Sequence, residues 1–320
     1  MKAAVYRQYG SPDVLQIEDV AKPAPKDNEI LVRIKASTVC AGDVRLRTAN
    51  PFFLRWLSGL LRPTKIPILG MEFAGTIEAV GSHVTRFAAG DEVFGSKGLE
   101  FGAYAEYACA AEGPLIAHKP ANASFEEAAA LPFGGVSALH FLRAAKIATG
   151  QNVLIYGASG SVGTFAVQLA KHFGAHVTGV CSSANLGLVK SLGADAVVDY
   201  TKEDFSKAGR VYDIVFDTVG KSGFWRSLRS LKRGGAYVFA ASGPLTPTLG
   251  RAWVSLTGAG NLIGGMARSK PGDLSFLADL AEAGKIRTVI DRRYPLDEIA
   301  EAHRYVEAGH KKGNVVVAVE

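Results

Sequence analysis

Cysteine is scarce in this chain, with three in 320 residues, at positions 40, 109 and 181, and no CxxC pair among them. Thiols so far apart and odd in number make no disulfide framework and no cysteine-rich structural zinc site, so a reducing, cytoplasmic setting is expected. Long apolar runs are missing too. The uncharged stretch from Ala128 to Leu142 is broken by Pro132, Gly134 and Gly135, and no uninterrupted run is long enough to span a bilayer as a helix. The amino terminus, Met1-Lys2-Ala3-Ala4-Val5-Tyr6-Arg7, lacks the apolar core of a signal peptide and reads as a strand. Strong charge is absent as well: the net charge is +6, with Lys and Arg scattered among acids. Without a basic stripe interleaved with aromatics, no nucleic-acid partner is expected; the mild positive balance suits an anionic cofactor.

What is present is organised around Val153-Leu154-Ile155-Tyr156-Gly157-Ala158-Ser159-Gly160-Ser161-Val162-Gly163. Four residues suited to a buried parallel strand run into a glycine-rich turn. Beyond it Val162, Phe165, Ala166, Leu169, Ala170 and Phe173 recur at offsets of three and four, the apolar face of a helix. Strand, turn and helix form the phosphate-binding unit of a dinucleotide site, with Gly160 admitting a pyrophosphate and Gly163 letting the helix pack closely on the strand. Ala158 stands at the first fingerprint position and is small enough for a tight turn. A second strand, His176 to Val180, ends in Cys181-Ser182-Ser183, about 20 residues on, where an NAD site carries an acid on the ribose 2′-hydroxyl. Hydroxyls there can donate to a 2′-phosphate and no carboxylate repels it, so NADPH is the expected cofactor. The same serines read equally well as the end of a strand and the cap of a helix.

The length suits two domains. Residues 1–124 read as a β-rich domain, an irregular small barrel, with strands near 3–6, 15–20, 29–36, 73–80 and 102–107 punctuated by Gly and Pro. At Ser124-x-x-Glu127 a capping box opens an alanine-rich helix. Strands near 196–199, 213–217, 235–240 and 261–265 then alternate with helices near 186–192, 223–231 and 272–283, so 125–286 is expected to be a doubly wound parallel sheet. The tail, 287–320, returns to strand, helix and strand and is expected to rejoin the first domain, with the cofactor held in the cleft between the two.

Gly70-Met71-Glu72-Phe73-Ala74-Gly75-Thr76-Ile77-Glu78-Ala79-Val80-Gly81, Gly90-Asp91-Glu92-Val93-Phe94-Gly95, the glycine turn, Leu192-Gly193-Ala194-Asp195 and Asp217-Thr218-Val219-Gly220 occur in this order. Together they resemble the medium-chain dehydrogenase/reductase superfamily over essentially the whole chain. The similarity is greatest to its zinc-free, NADPH-dependent quinone oxidoreductases and enone reductases. The resemblance implies an α/β chain, with a GroES-like β-rich catalytic domain and a Rossmann doubly wound parallel-sheet domain, and a homodimer. Zinc members supply the competing expectation, a zinc-dependent alcohol dehydrogenase with a degenerate metal site. Cys40 occupies the first ligand position, but Met71 stands where a His is needed, and the third falls near Pro132, which has no donor. Gly42 takes the place of a proton-relay Ser or Thr. No metal is therefore expected, and Cys40 reads as a small buried hydrophobe.

Hydride transfer without a Lewis acid favours a conjugated acceptor, a quinone or α,β-unsaturated carbonyl, whose developing charge is delocalised. No residue stands out as an obligate acid or base. Substrate-pocket candidates are Cys40, Asp43, Met71 and, from the apolar segment 51–61, Phe52, Phe53 and Trp56. That segment has a second reading, an amphipathic helix packed on its own domain, and no membrane contact is expected of it. The resemblance carries cofactor roles to Ser137, to Ser159, Gly160, Ser161 and Val162 at the pyrophosphate, and to Ser182, Ser183 and Tyr200 around the 2′-phosphate. It also carries them to Val219, Gly220 and Ser242 after strands, and to Asn314 before the closing strand. A non-enzymatic NADPH-binding protein is the reading from another class.

Overall fold

The structure, a computed structural model, describes residues 1–209, 211–240 and 260–319. They fall into two compact units, Met1–Phe133 with Lys270–Glu320, and Gly134–Ser269.

In the first unit, β1 (Lys2–Tyr6) and β2 (Leu15–Asp19) form an antiparallel pair. A larger sheet contains β3 (Glu29–Thr38), β4 (Glu72–Val80), β5 (Glu92–Ser96), β6 (Tyr107–Ala111) and β7 (Ile116–His118). The tail contributes β14 (Ile290–Pro295) and β15 (Asn314–Ala318), and the order is β14-β15-β3-β4-β5-β7 with β6 also on β3. Alternation on β3 explains the packing. Ile30, Val32 and Ile34 share one face and are buried with Phe73, Ile77, Phe87 and Val93. Three helices of this unit are α1 (Ala41–Thr48), α2 (Arg55–Ser58) and α3 (Phe125–Ala129). The Ser124 capping box forms, with Ser124 Oγ accepting from Glu127 N at 3.1 Å and Glu127 Oε2 from Ser124 N at 2.9 Å. The expected strand at 102–107 is displaced to β6, because Phe101 and Gly102 both adopt positive φ and turn the chain there.

α8 (Asp273–Glu282), expected within 125–286, and α9 (Ile299–Glu307) of the tail also belong to this unit. Ile299, Ala302 and Val306 of α9 face a core containing Tyr6, Leu46, Leu69, Tyr104, Val315 and Val317. One buried cation joins α1 to α9. Arg47 is fully buried, donates from Nε to His303 Nδ1 at 3.2 Å and from Nη2 to Glu307 Oε2 at 2.8 Å, and also donates to the Gly10 carbonyl. Burial, and then the Arg47 charge, push the His303 imidazole down to about 3, so it accepts as the neutral ring.

The second unit is a six-stranded sheet of β8 (Asn152–Tyr156), β9 (His176–Cys181), β10 (Ala196–Asp199), β11 (Tyr212–Asp217), β12 (Leu231–Phe239) and β13 (Asn261–Gly264). Its order is β10-β9-β8-β11-β12-β13 with every pair parallel. This is the doubly wound order, with its switch point between β8 and β11. The helices are the remainder of α4 (Pro132–Ala144), α5 (Ser161–His172), α6 (Leu186–Ser191) and α7 (Phe224–Ser230). On both faces the central strands are covered: Val153, Leu154, Ile155, Val215 and Phe216 have no exposed surface.

Candidate dinucleotide and acceptor sites

The glycine turn leaves β8 at the switch point, where ligands of such sheets bind. Gly157 has φ +80° and makes the turn itself. Ala158, the residue expected there from the fingerprint, is instead fully buried one position later. Gly163 is required by packing, since a Cβ would lie 2.1 Å from the Gly157 carbonyl oxygen. Gly160 is different. Its φ is −81° and a Cβ would meet nothing nearer than the Gly157 oxygen at 3.5 Å. The protein's own atoms do not demand a glycine there, which fits a backbone left bare for a ligand. Gly160 is also the N-cap of α5, and no side chain caps that helix, whose positive end suits a phosphate.

Hydrogen bonds fix the surroundings of this turn. Asn185 is nine-tenths buried and its Nδ2 donates to Ser159 Oγ at 3.2 Å and to Ser182 Oγ at 3.3 Å, joining the turn to the end of β9. Thr218 Oγ1 donates to the Tyr156 and Gly157 carbonyls at 2.9 and 3.2 Å. The buried Asp217 carboxylate accepts from the backbone N–H groups of Val219, Gly220 and Ser222 at 3.0, 2.7 and 2.8 Å. The amides of Val219 and Gly220 are thus committed, while the Val219 side chain is exposed. Ser183 is committed too, because its hydroxyl donates to Asp199 at the end of β10. Donations from Ser183 and Thr201 hold that carboxylate down at about 2. The acid missing after β9 therefore has a counterpart one strand over, with its charge satisfied by hydroxyls. Charges of both signs lie close by: Lys202, Lys207, Arg226, Glu203 and Asp204 line a cavity of about 400 Å³ with Tyr156 and Tyr200, Lys202 lying 3.8 Å from Asp199 and Arg226 3.9 Å from Asp204. Tyr200 is 53% exposed. Ser137 is buried in α4, and Ser242 lies outside the described residues.

In the first unit, the β3–β4 register brings the end of one strand beside the start of the other, pairing Ser37 with Phe73. Cys40 and Met71 meet as a consequence, Sγ to Sδ 3.6 Å. Asp43, fully buried, clamps the same place: Oδ2 accepts from Cys40 N at 2.9 Å and Oδ1 from Gly70 N at 3.0 Å. Glu72 accepts from Phe133 N at 2.6 Å and from the Thr38 hydroxyl. A side chain at Gly42 would meet Met71 Sδ at 2.8 Å, so the thioether occupies the space a hydroxyl relay would need.

Zinc does not fit this donor set. Burial and the Asp43 and Glu72 carboxylates push the Cys40 thiol well above its ordinary range, opposing the thiolate a metal requires. Both Glu72 oxygens are engaged, burial raises that carboxyl to about 7, and Met71 offers only a thioether. Among the described residues no group of three or more His, Cys, Asp or Glu is placed to hold a metal ion.

Sequence reasoning missed Asn185, Thr218 and Lys311. Burial lowers the Lys311 ammonium, partly offset by Cys40 and Glu72; its Nζ donates to the Gly313 carbonyl at 2.6 Å. Nothing in His310-Lys311-Lys312-Gly313 distinguishes it from a solvated turn. Asn314 is held against its own unit, donating from N and Nδ2 to the Val289 carbonyl at 2.8 and 3.2 Å. Phe52, Phe53 and Trp56 are 63%, 55% and 74% exposed.

Comparison with known proteins agrees with this architecture. The chain matches the alcohol dehydrogenase GroES-like domain over residues 26–120 and the zinc-binding dehydrogenase model over 192–317. It is 37% identical to 2-methylene-furan-3-one reductase of Solanum lycopersicum, over 99% of this chain and 79% of that protein. It is 34% identical to the chloroplastic NADPH-dependent alkenal/one oxidoreductase of Arabidopsis thaliana, over the same shares of 99% and 79%. Among solved structures, the quinone oxidoreductase from Coxiella burnetii superposes with a TM-score of 0.90 at 32% identity, covering 100% of this chain and 99% of that one. The chain belongs to the medium-chain dehydrogenase/reductase superfamily, among its quinone and enone oxidoreductases.

Proposed function

We propose that this chain is a zinc-independent oxidoreductase that passes hydride from NADPH to a quinone or an α,β-unsaturated carbonyl. The observation that carries the reaction class is the pairing of an uncapped helix end at a bare Gly160 with an acceptor unit whose Cys40, Met71 and Glu72 cannot furnish a zinc site. When bound, NADPH supplies the hydride. Ser159, Gly160, Ser161 and Val162 receive the pyrophosphate at the positive end of α5. Asn185 holds Ser159 and Ser182 in place, and Ser182, Tyr200 and Lys202 flank the 2′-phosphate. Ser183 has no donor left for that phosphate, since its hydroxyl already donates to the Asp199 carboxylate. Ser137, Val219 and Ser242 are assigned to the nicotinamide end, Val219 by its side chain.

On the acceptor side the chain's contribution is positional. Asp43 fixes the Cys40 and Gly70 backbones, and the two sulfurs give an apolar wall. A conjugated acceptor delocalises its developing negative charge, so it needs less polarisation than a saturated ketone. The named relatives reduce alkenals, enones and quinones, in keeping with this class. The test is NADPH oxidation by chelator-treated protein given phenanthrenequinone, a short enone and a saturated ketone in parallel. Turnover of the first two and not the third is expected; turnover of the ketone alone, and only with zinc, would overturn the proposal. Turnover of none, with NADPH still bound, would support the non-enzymatic reading.

A further inference from the structure

Between Asp43 and Glu72 the chain carries no acid, yet it carries Arg45, Arg47, Arg55, Arg62 and Lys65. Arg47 is buried among its own partners, which leaves four cations. Within this stretch the short helix α2 and its approaches divide cleanly. Leu54 and Leu57 turn inward and pack against the core, while Phe52, Phe53, Trp56, Leu60 and Leu61 point out, Leu61 with 84% of its surface exposed. A helix that only closed its own unit would bury its aromatics and expose its polar residues. Here the large apolar residues are the exposed ones, five within ten positions, and single exposed residues elsewhere do not explain such a cluster.

Arg45, Arg62 and Lys65 are exposed, and Lys65 N donates to the Ser58 carbonyl at 2.9 Å, which holds Lys65 beside α2. Arg55 lies against the cluster itself, its guanidinium 4.8 Å from the Phe52 ring centre and 4.8 Å from that of Tyr9. An apolar tip in a segment that carries Arg55, Arg62 and Lys65 and no acid is complementary to a surface that is negative outside and apolar just beneath. A second copy of the same patch would bring like charges together.

We infer that residues 52–65 dock this protein on an anionic lipid bilayer, with Phe52, Phe53, Trp56, Leu60 and Leu61 entering the headgroup boundary and Arg62 and Lys65 meeting lipid phosphates. The segment lies on the surface and does not span it: α2 has four residues, and no described helix is long and apolar enough to cross a membrane. This departs from the sequence expectation of no membrane contact, which treated the segment as the wall of a pocket.

The experiment is co-sedimentation of the full chain with vesicles of phosphatidylcholine alone and of phosphatidylcholine with 30% phosphatidylglycerol, at low and high salt. Binding is expected only to the anionic vesicles and is expected to weaken with salt. Removing two surface cations costs roughly thirtyfold in vesicle affinity at about 1 kcal/mol each, so R62E/K65E should lose at least that much. L60S/L61S should lose binding by removing the apolar tip; both variants are checked for an unchanged thermal transition. Equal binding to both vesicle types, no binding to either, or wild-type binding by both variants would overturn the inference. Concentration-dependent dimerisation abolished by L60S/L61S, without vesicle binding, would assign the patch to a second copy instead.

Discussion

The two glycines of the turn separate folding from cofactor binding, and a pair of alanine substitutions reads each alone. At Gly160 the backbone lies at φ −81° and ψ 177°, ordinary for any residue, and a Cβ would stand 3.5 Å from its nearest neighbour. Gly160→Ala should therefore leave stability within about 1 kcal/mol of the parent, the stiffer unfolded chain offsetting the poorer N-cap that alanine makes. Gly163 lies inside α5, where alanine has the better helix propensity by about 1 kcal/mol. Its Cβ, however, would sit 2.1 Å from the Gly157 oxygen and 2.8 Å from Ala158 Cα. Those are backbone atoms that cannot swing aside, so overpacking at the upper end of the usual range, about 3 kcal/mol, outweighs the propensity. Urea unfolding followed by circular dichroism reports stability, and quenching of protein fluorescence by NADPH reports binding. The prediction is that Gly160→Ala folds normally but binds NADPH at least tenfold more weakly, a loss of about 1.4 kcal/mol, while Gly163→Ala lowers the urea midpoint. Parent-like NADPH affinity in Gly160→Ala would refute the claim that a ligand's phosphates lie against this backbone.

Three other outcomes follow from buried polar groups. Glu72 is raised from 4.5 to about 7, chiefly by burial. The folded state thus holds its proton over a range where the unfolded chain has released it, so stability falls as pH rises from about 4.5 to about 7. The total is about 3 kcal/mol. Glu72→Gln should remove that decline, and parallel pH–stability curves for the two proteins would contradict it. Asp217→Ala strands three backbone N–H groups and should cost about 3 kcal/mol in urea unfolding; a change under 1 kcal/mol would mean that water replaces the carboxylate. Arg47→Met leaves His303 and the Gly10 carbonyl without their partner and should cost about 3 kcal/mol, with a thermal transition several degrees lower as the check.

Legibility in the sequence followed the range of the forces involved. The parallel strands and the Ser124 capping box rest on local pattern and were readable, because burial on two faces and a side chain reaching three residues ahead leave marks in consecutive residues. Positive φ at Phe101 leaves no such mark, and β6 was placed too early. Gly157 was passed over for Ala158 because the fingerprint counts positions, whereas the turn needs a residue that tolerates φ +80°. At the candidate sites, the exchanged metal position at Met71 was legible as a substitution. Partners from other elements were not: Asp199 accepts from the Ser183 hydroxyl 16 positions away, and Arg47 reaches His303 across 256. The aromatics of segment 51–61 were read as the wall of a substrate pocket, and their exposure was not legible, since composition alone does not say which side of a short helix faces the core.

The most direct test of the central claim is isotopic. Chelator-treated protein is given NADPH carrying deuterium at both C4 positions, together with a β-substituted enone, and the product is examined by mass spectrometry and NMR. The account predicts one deuteron on the former β-carbon, a saturated ketone as product, and a rate unchanged by added zinc. Deuterium on the carbonyl carbon of an allylic alcohol, formed only after zinc is supplied, would contradict it and return Cys40 and Glu72 to the role of metal ligands.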